Sequence, residues 1–398
     1  MKTKTIHLCA ALWLVLGLLV PQWDAEARTH RRHRKRGVRV TRIHRWSERV
    51  AGKQTKVGPF QGPVQAPAYV LMDVDSGRVL VEHNAHKRMF PASTTKTMTA
   101  LVAMTQGNLD QVVRVGPNAA QTGETGIYLL EGEQFTIRDL VRAALIKSAN
   151  DACVAIAEGV AGSVPAFAKM MNAKAQELGA RNTHFVNPHG LHDPNHYTTA
   201  YDLALIAREA MRYPFFNETI KIRTLPIHGN YKLGAERLLL NRNRLLFRWA
   251  ECDGVKTGYT KQAGRCLIAS ATRLDPVTRK PWRLLGVVLH SPNSWDDSAY
   301  LLKHWGFERY RPVEVAHAGE VVTTMNVAGG AFDAKGVTAE NGVMPLRQDE
   351  QNMLGQRVRE FKLKAPVQQG RTVGYVEYTV AGRKVGEVRL VAQEAVPR

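Results

Sequence analysis

Four residues, Ser93-Thr94-Thr95-Lys96, carry the first chemistry that the sequence offers. At helical spacing i and i+3, the serine hydroxyl and the lysine amine share one face, one turn apart. A serine among the unpaired N–H groups of a helix N-terminus stands where an oxyanion can be stabilised. It becomes a nucleophile only when a base takes its proton, and an amine can be that base only if its pKa falls from about 10.4 toward neutrality. Burial and a second nearby cation supply that depression. Taken alone, the pattern is equally that of a helix cap followed by an exposed lysine, although it is the only Ser-x-x-Lys in the chain.

Two further groups offer partners. Ser148-Ala149-Asn150 reads either as a helix break in which Asn150 caps the next helix, or as a hydroxyl and an amide that relay a proton and orient a substrate amide. Lys256-Thr257-Gly258 reads either as an edge-strand lysine that discourages aggregation, or as a positive charge and a hydroxyl for a substrate carboxylate. In the second reading, Gly258 lets a substrate backbone lie close against the strand. The first residues of the three groups are separated by 55 and 108 positions.

These groups need elements to hold them. Tyr69 to Val81 reads as a hairpin with an Asp-Ser-Gly turn at Asp75-Ser76-Gly77. Pro91 ends the extended chain, and Ser93 to Met104 has helical spacing. A second helix starts at Thr136 with Asp139 as capping partner and is interrupted at Ser148-Ala149-Asn150. Helices follow over Asp151 to Gly159, Ser163 to Leu178 with Gly179 as stop, and Thr199 to Met211 with Asp202 as capping partner. Strands are expected over Gly254 to Thr260, Cys266 to Ala271 and Leu284 to His290, then a helix over Trp295 to Trp305. From Arg311 to Arg398 the chain is rich in Val, Gly and Thr and reads as a small β domain.

At 398 residues, with 44% hydrophobic and 23% charged residues, the chain has the composition of a multidomain globular protein. Lys2 and Lys4, the apolar run Leu8 to Val20 and Ala25-Glu26-Ala27 make residues 1–27 a signal peptide, too short in its apolar part to span a bilayer. No later stretch is long and apolar enough to span, so no transmembrane segment is expected after cleavage and the mature chain is expected outside the cytoplasm. From Arg28 to Val57 twelve Lys or Arg face one acid, Glu48, which gives +11 of the formal +20. This tail, part of a 28–65 linker, reads as unstructured and polyanion-seeking. Export directs it away from nucleic acid and toward anionic envelope polymers or lipid headgroups. Cys153, Cys252 and Cys266 remain after cleavage and read as buried small residues; a Cys252–Cys266 pair is conceivable on geometry alone.

The ordered trio Ser-x-x-Lys, Ser-x-Asn, Lys-Thr-Gly resembles the signature of penicillin-binding proteins and class A β-lactamases. A class A lactamase would place Glu-x-x-Leu-Asn between the second and third groups. The nearest run, Glu236 to Asn241, is one residue too long and begins 20 residues before Lys256. From about Ala66 to Pro397 the chain is similar instead to the low-molecular-mass D-alanyl-D-alanine carboxypeptidases. The stretches that carry the likeness are Pro91–Lys96, Lys147–Ala152, Asn187–Leu191, Thr198–Ala204 and Asp253–Thr260, with Ala263–Leu267 beyond.

That resemblance implies an α/β (α+β) fold: a transpeptidase-like domain over 66–310, an antiparallel sheet flanked by helices, followed by the all-β domain over 311–398. It implies Ser93 as nucleophile on peptidoglycan stem peptides, Lys96 as its base and Ser148 as proton donor to the leaving D-alanine. It implies Asn150, Lys256, Thr257, Gly258 and Tyr259 as substrate-binding residues, the Tyr259 N–H sharing the oxyanion with that of Ser93. Asp202 is a candidate supporting residue, explained equally well as a cap partner. β-Lactams are the implied inhibitors, and neither cofactor nor metal is implied; His184, His189, His192 and His196 have loop-like rather than zinc-site spacing. Members of this family commonly end in an amphipathic membrane helix, which Gln393 to Arg398 does not resemble, so the basic tail is expected to act as the tether. A D,D-endopeptidase with the same site and a non-catalytic polyanion-binding protein are the alternative functions.

Overall fold

The computed structural model describes residues 63–229 and 236–398. The expected signal peptide and the basic tail to Lys56 lie outside the described residues. Five antiparallel strands form the central sheet, in the order Val79–His83, Ala68–Asp73, Pro281–Ser291, Gly264–Leu274 and Cys252–Thr260. Its strands are apolar on both faces: Val70 and Met72 enter one core while Leu71, between them, enters another. Such alternation requires cover on both sides. Helix Ala200–Ala210 packs on one face beneath a helical cluster, and Ser294–Tyr300 with the π turn Leu301–Phe307 packs on the other.

The hairpin forms as its sequence directs. Asp73 Oδ2 accepts from the Ser76 amide and hydroxyl, and Gly77 takes the positive φ of 74° that the turn needs. Gly264–Leu274 and Pro281–Ser291 are longer than the expected runs at both ends. The helical segments differ more. Ser93 lies in a 3-10 turn, Ala92–Thr95, that leads into the α-helix Lys96–Gln106. The helix opened by Thr136 widens after Arg142 into a π turn, Ala143–Lys147. Elements without a clear sequence signal also appear, among them helix Pro214–Lys221 and the ribbon of Thr224–Ile227 with Arg237–Leu240.

Beyond Tyr310 the described elements are strands and one helical turn, Gln348–Gln351. Five of the strands make a sheet in the order Val321–Met325, Ala334–Thr338, Arg383–Ala392, Thr372–Val380, Leu354–Glu360, over a core of its own. Tyr310 Oη donates to the Leu80 carbonyl at 2.9 Å, and Arg78 pairs with Glu350 at 2.9 Å, both side chains under a tenth exposed. These contacts join the hairpin to the C-terminal strands.

All three described cysteines are buried and free. Cys252 is opposite Ala271 and Cys266 opposite Gly258 on the same pair of strands. Five residues of strand, about 17 Å, therefore separate the two thiols, far beyond disulfide reach, which corrects the pairing that sequence left open. Among the described residues, no single helix is long and apolar enough to cross a membrane.

Candidate active site

The 3-10 turn does for Ser93 and Lys96 what a regular helix does less closely: it eclipses side chains at i and i+3. Lys96 Nζ lies 2.9 Å from Ser93 Oγ. Its other two donors meet Asn150 Oδ1 at 2.8 Å and the His189 carbonyl at 2.7 Å. Lys96 is fully buried, and burial pulls its pKa from 10.5 to about 8, against a weaker upward pull from Cys153, Asp151 and Glu124. An ammonium group with three acceptors is satisfied; a neutral amine there keeps two N–H bonds and aims its lone pair at Ser93.

Asn150 begins helix Asn150–Ala161 but does not cap it. Its amide bridges inward to Lys96 and outward to the Gly123 carbonyl at 3.1 Å, while its backbone N–H donates to Thr125. The cap reading of Asn150 is thereby replaced by a bridging one. Ser148 ends the π turn in a left-handed conformation, φ 66°, a corner that takes its side chain out of the helix. Its Oγ accepts from Lys256 Nζ at 3.0 Å. Lys256 is also buried and donates to the Thr257 carbonyl at 2.8 Å. Burial first and the neighbouring Lys96 next hold its pKa well below 10.5. The Ser93–Lys96 and Ser148–Lys256 pairs thus lie close enough for the two buried lysines to act on each other, with Lys256 on the edge strand Cys252–Thr260.

Gly258 has a different neighbour from the one that sequence suggested. A Cβ built on it would stand 2.8 Å from the Pro91 carbonyl and 3.1 Å from the Ser93 amide nitrogen. The space left by the missing side chain is filled by the protein's own serine turn, so Gly258 brings the edge strand and the Ser93 N–H side by side. Gly258→Ala is expected to displace that turn and to cost about 1–3 kcal/mol of stability, measurable by denaturant unfolding. Thr257 is partly exposed and Tyr259 is 66% exposed at the rim.

Asp202 keeps the expected bond of its N–H to the Thr199 hydroxyl, 3.0 Å, but its carboxylate accepts from the Asn182 amide at 2.8 Å and the Thr183 hydroxyl at 2.7 Å. It braces the chain that leads to Asn187–Leu191 rather than the cleft itself. Of the loop histidines, His184 Nδ1 bonds the Asn195 carbonyl, His189 Nδ1 accepts from the Leu191 N–H, and His192 meets Phe90 edge-on. Among the described residues no three His, Cys, Asp or Glu side chains gather as a metal-binding group.

Several contributors escaped the sequence reading. The Pro188 and His189 carbonyls accept from Thr99 and Lys96, which closes the Asn187–Leu191 loop onto the lysine helix. Asp151 accepts from the Ile127 and Leu129 amides and so holds the loop that Asn150 also touches. Arg242, whose N–H donates to the Ile146 carbonyl, lowers the pKa of both Lys147 and Lys256 after burial has done so, and adds positive charge beside them. Asp151 adjoins the Ser-x-Asn group in sequence and the two carbonyls lie in the Asn187–Leu191 stretch, although a backbone carbonyl has no residue type to mark its part; Arg242 carries no motif.

A sheet flanked by helices, with a serine paired to a buried lysine and a second serine–lysine pair facing it, defines a serine hydrolase of the penicillin-binding type. Residues 53–292 match the family described as D-alanyl-D-alanine carboxypeptidase, and residues 310–398 match the C-terminal domain of penicillin-binding protein 5. The chain belongs to the D-alanyl-D-alanine carboxypeptidase family. It is 33% identical over 343 residues to the carboxypeptidase DacF of Bacillus subtilis, covering 83% of this chain and 85% of that one. It is 33% identical over 372 residues to DacC of Escherichia coli, covering 87% of each. Penicillin-binding protein 5 of Haemophilus influenzae superposes with a TM-score of 0.72 at 31% identity, over 86% of this chain and 100% of that one.

Proposed function

We propose that this protein is a D-Ala-D-Ala carboxypeptidase that removes the terminal D-alanine from peptidoglycan stem pentapeptides through an acyl-enzyme on Ser93. The single observation that supports this most is Lys96: fully buried, its pKa near 8, and with one of its three hydrogen bonds made to Ser93 Oγ.

In this reading Lys96 Nζ takes the Ser93 proton as Oγ attacks the carbonyl carbon between the two D-alanines. The N–H groups of Ser93 and Tyr259 receive the oxyanion. Lys256 and Thr257 grip the terminal carboxylate, whose negative charge opposes the downward pull of burial and Lys96 on the Lys256 pKa. Asn150 orients the acyl chain. As the C–N bond breaks, Ser148 relays to the departing amine the proton that Lys96 took from Ser93, which leaves Lys96 neutral again, and water then cleaves the ester. A β-lactam forms the same ester, but its amine stays tethered and hydrolysis stalls.

The function also assigns the chain's organisation: 1–27 for export, 28–65 as a basic tail toward anionic envelope polymers or lipid headgroups, 66–310 for catalysis and 311–398 as the second domain. The mature protein then acts outside the cytoplasm, in the cell envelope.

Defined muropeptides test the reaction. Incubation with a pentapeptide monomer is expected to yield one D-alanine per tetrapeptide formed, read by mass spectrometry. Cleavage of a cross-linked dimer with no D-alanine release from the monomer would replace the proposal with an endopeptidase. Attack on neither would leave the non-catalytic polyanion-binding alternative.

A further inference from the structure

We infer that His196 is a positioning residue for this reaction: through the Thr95 hydroxyl it holds the Ala92 carbonyl and so fixes the turn that presents Ser93. The inference rests on the reading of Ser93 as nucleophile.

The chain of bonds has one direction. The Val186 N–H donates to His196 Nδ1 at 3.2 Å, so that nitrogen carries no proton. The proton of the neutral ring is then on Nε2, which lies 2.8 Å from Thr95 Oγ1. The Thr95 hydroxyl, receiving that proton, spends its own on the Ala92 carbonyl at 2.8 Å. Burial, the largest effect, holds the His196 pKa down to about 3, so the ring stays neutral and this tautomer is the same at every working pH. All three residues are buried, His196 at 2% exposure and Thr95 at none.

Ala92 needs holding. It is not glycine, yet its φ is +49°, in the left-handed region that costs an alanine strain, and it immediately precedes Ser93. A threonine bonding back to a carbonyl three residues earlier is an ordinary feature of helix starts. Two observations go beyond that here. A histidine 101 residues away donates into the same hydroxyl. Gly190 also packs so closely that a Cβ on it would stand 1.9 Å from the Ala92 oxygen and 2.8 Å from Thr95 Oγ1. The loop from Val186 to His196 therefore clamps the strained turn from outside, and the same loop supplies the carbonyl of His189 to Lys96. Nucleophile and base take their positions from one segment.

The test is stopped-flow acylation by a fluorescent penicillin, which separates the non-covalent dissociation constant from the acylation rate constant. Thr95→Val, which keeps the shape and deletes the hydroxyl, is expected to slow acylation by about 10- to 100-fold, the scale of a sub-ångström misplacement of reacting groups, with the dissociation constant within about threefold of the parent. Thr95→Ser restores the hydroxyl and is expected to restore the rate. His196→Phe should match Thr95→Val, and the double variant should be no slower than either single one, because both break one chain of bonds. Should the phenylalanine variant not fold, the threonine pair carries the test alone. Thr95→Val acylated at the parental rate overturns the inference, as does a slow Thr95→Val that Thr95→Ser fails to rescue. If the parental protein itself is never acylated, it is the reading of Ser93 as nucleophile that fails.

Discussion

Replacing Ser93 by alanine is expected to abolish covalent labelling by penicillin and to lower D-alanine release by at least about four orders of magnitude, the scale seen when a covalent nucleophile is removed. The loss falls on chemistry and not on binding. Ser93 is only half-buried, and Lys256 and Thr257, the side chains proposed to bind the carboxylate, lie on a different element, the edge strand. A stem pentapeptide should therefore bind Ser93→Ala with an affinity within about threefold of the parent. The variant also removes one acceptor from Lys96, which keeps Asn150 and His189. That costs about 1–3 kcal/mol of stability, not the fold. Mass spectrometry after penicillin treatment decides: an adduct on the Ser93→Ala protein would place the nucleophile elsewhere and end the proposed mechanism.

The second large effect is on pH. Lys96 must lose its proton before it can take one from Ser93, and its pKa sits near 8 because burial disfavours the charge. The sign follows directly: below 8 the fraction of neutral amine falls tenfold for each unit of pH, and above 8 it saturates. The acylation rate is expected to rise about tenfold between pH 6 and 7, less steeply toward 8, and then to flatten. Lys96→Arg keeps the charge and the donors but titrates above any working pH. It should lose about 10²–10⁴ in rate, the contribution of a general base, and show no plateau near 8. An acylation rate that is flat from pH 6 to 9 in the parent would show that Lys96 is not the base.

The three polar groups were legible in sequence because each sets hydroxyl, amine or amide side chains at a short spacing and the three occur in one order, and short spacing survives folding. Which groups met across the cleft was less so. Lys96 is held by Ser93 and Asn150, both readable, and by the His189 carbonyl, which any residue at that position would offer. Gly258 could be recognised as a site of close approach, but what approaches it depends on where tertiary packing puts Pro91 and Ser93, and that is a property of the sheet, not of the strand. Helix periodicity found the helix from Lys96 through Met104 and missed the 3-10 turn Ala92–Thr95 at its head, because a positive φ at alanine costs energy locally and leaves no pattern in residue types. Ser148 broke its helix as expected; the π turn that sets up its left-handed corner leaves no pattern in residue types.

The Arg78–Glu350 contact fixes more than a junction. With both side chains under a tenth exposed, pulling the C-terminal strands away from the hairpin would break that ion pair and the Tyr310 bond to the Leu80 carbonyl, and would open both faces to water. Both bonds must break before the C-terminal strands can swing away from the hairpin, so together they resist a hinge at Tyr310. The hairpin strand Val79–His83 is the edge of the central sheet, so a load placed on the C-terminal strands is passed into that sheet.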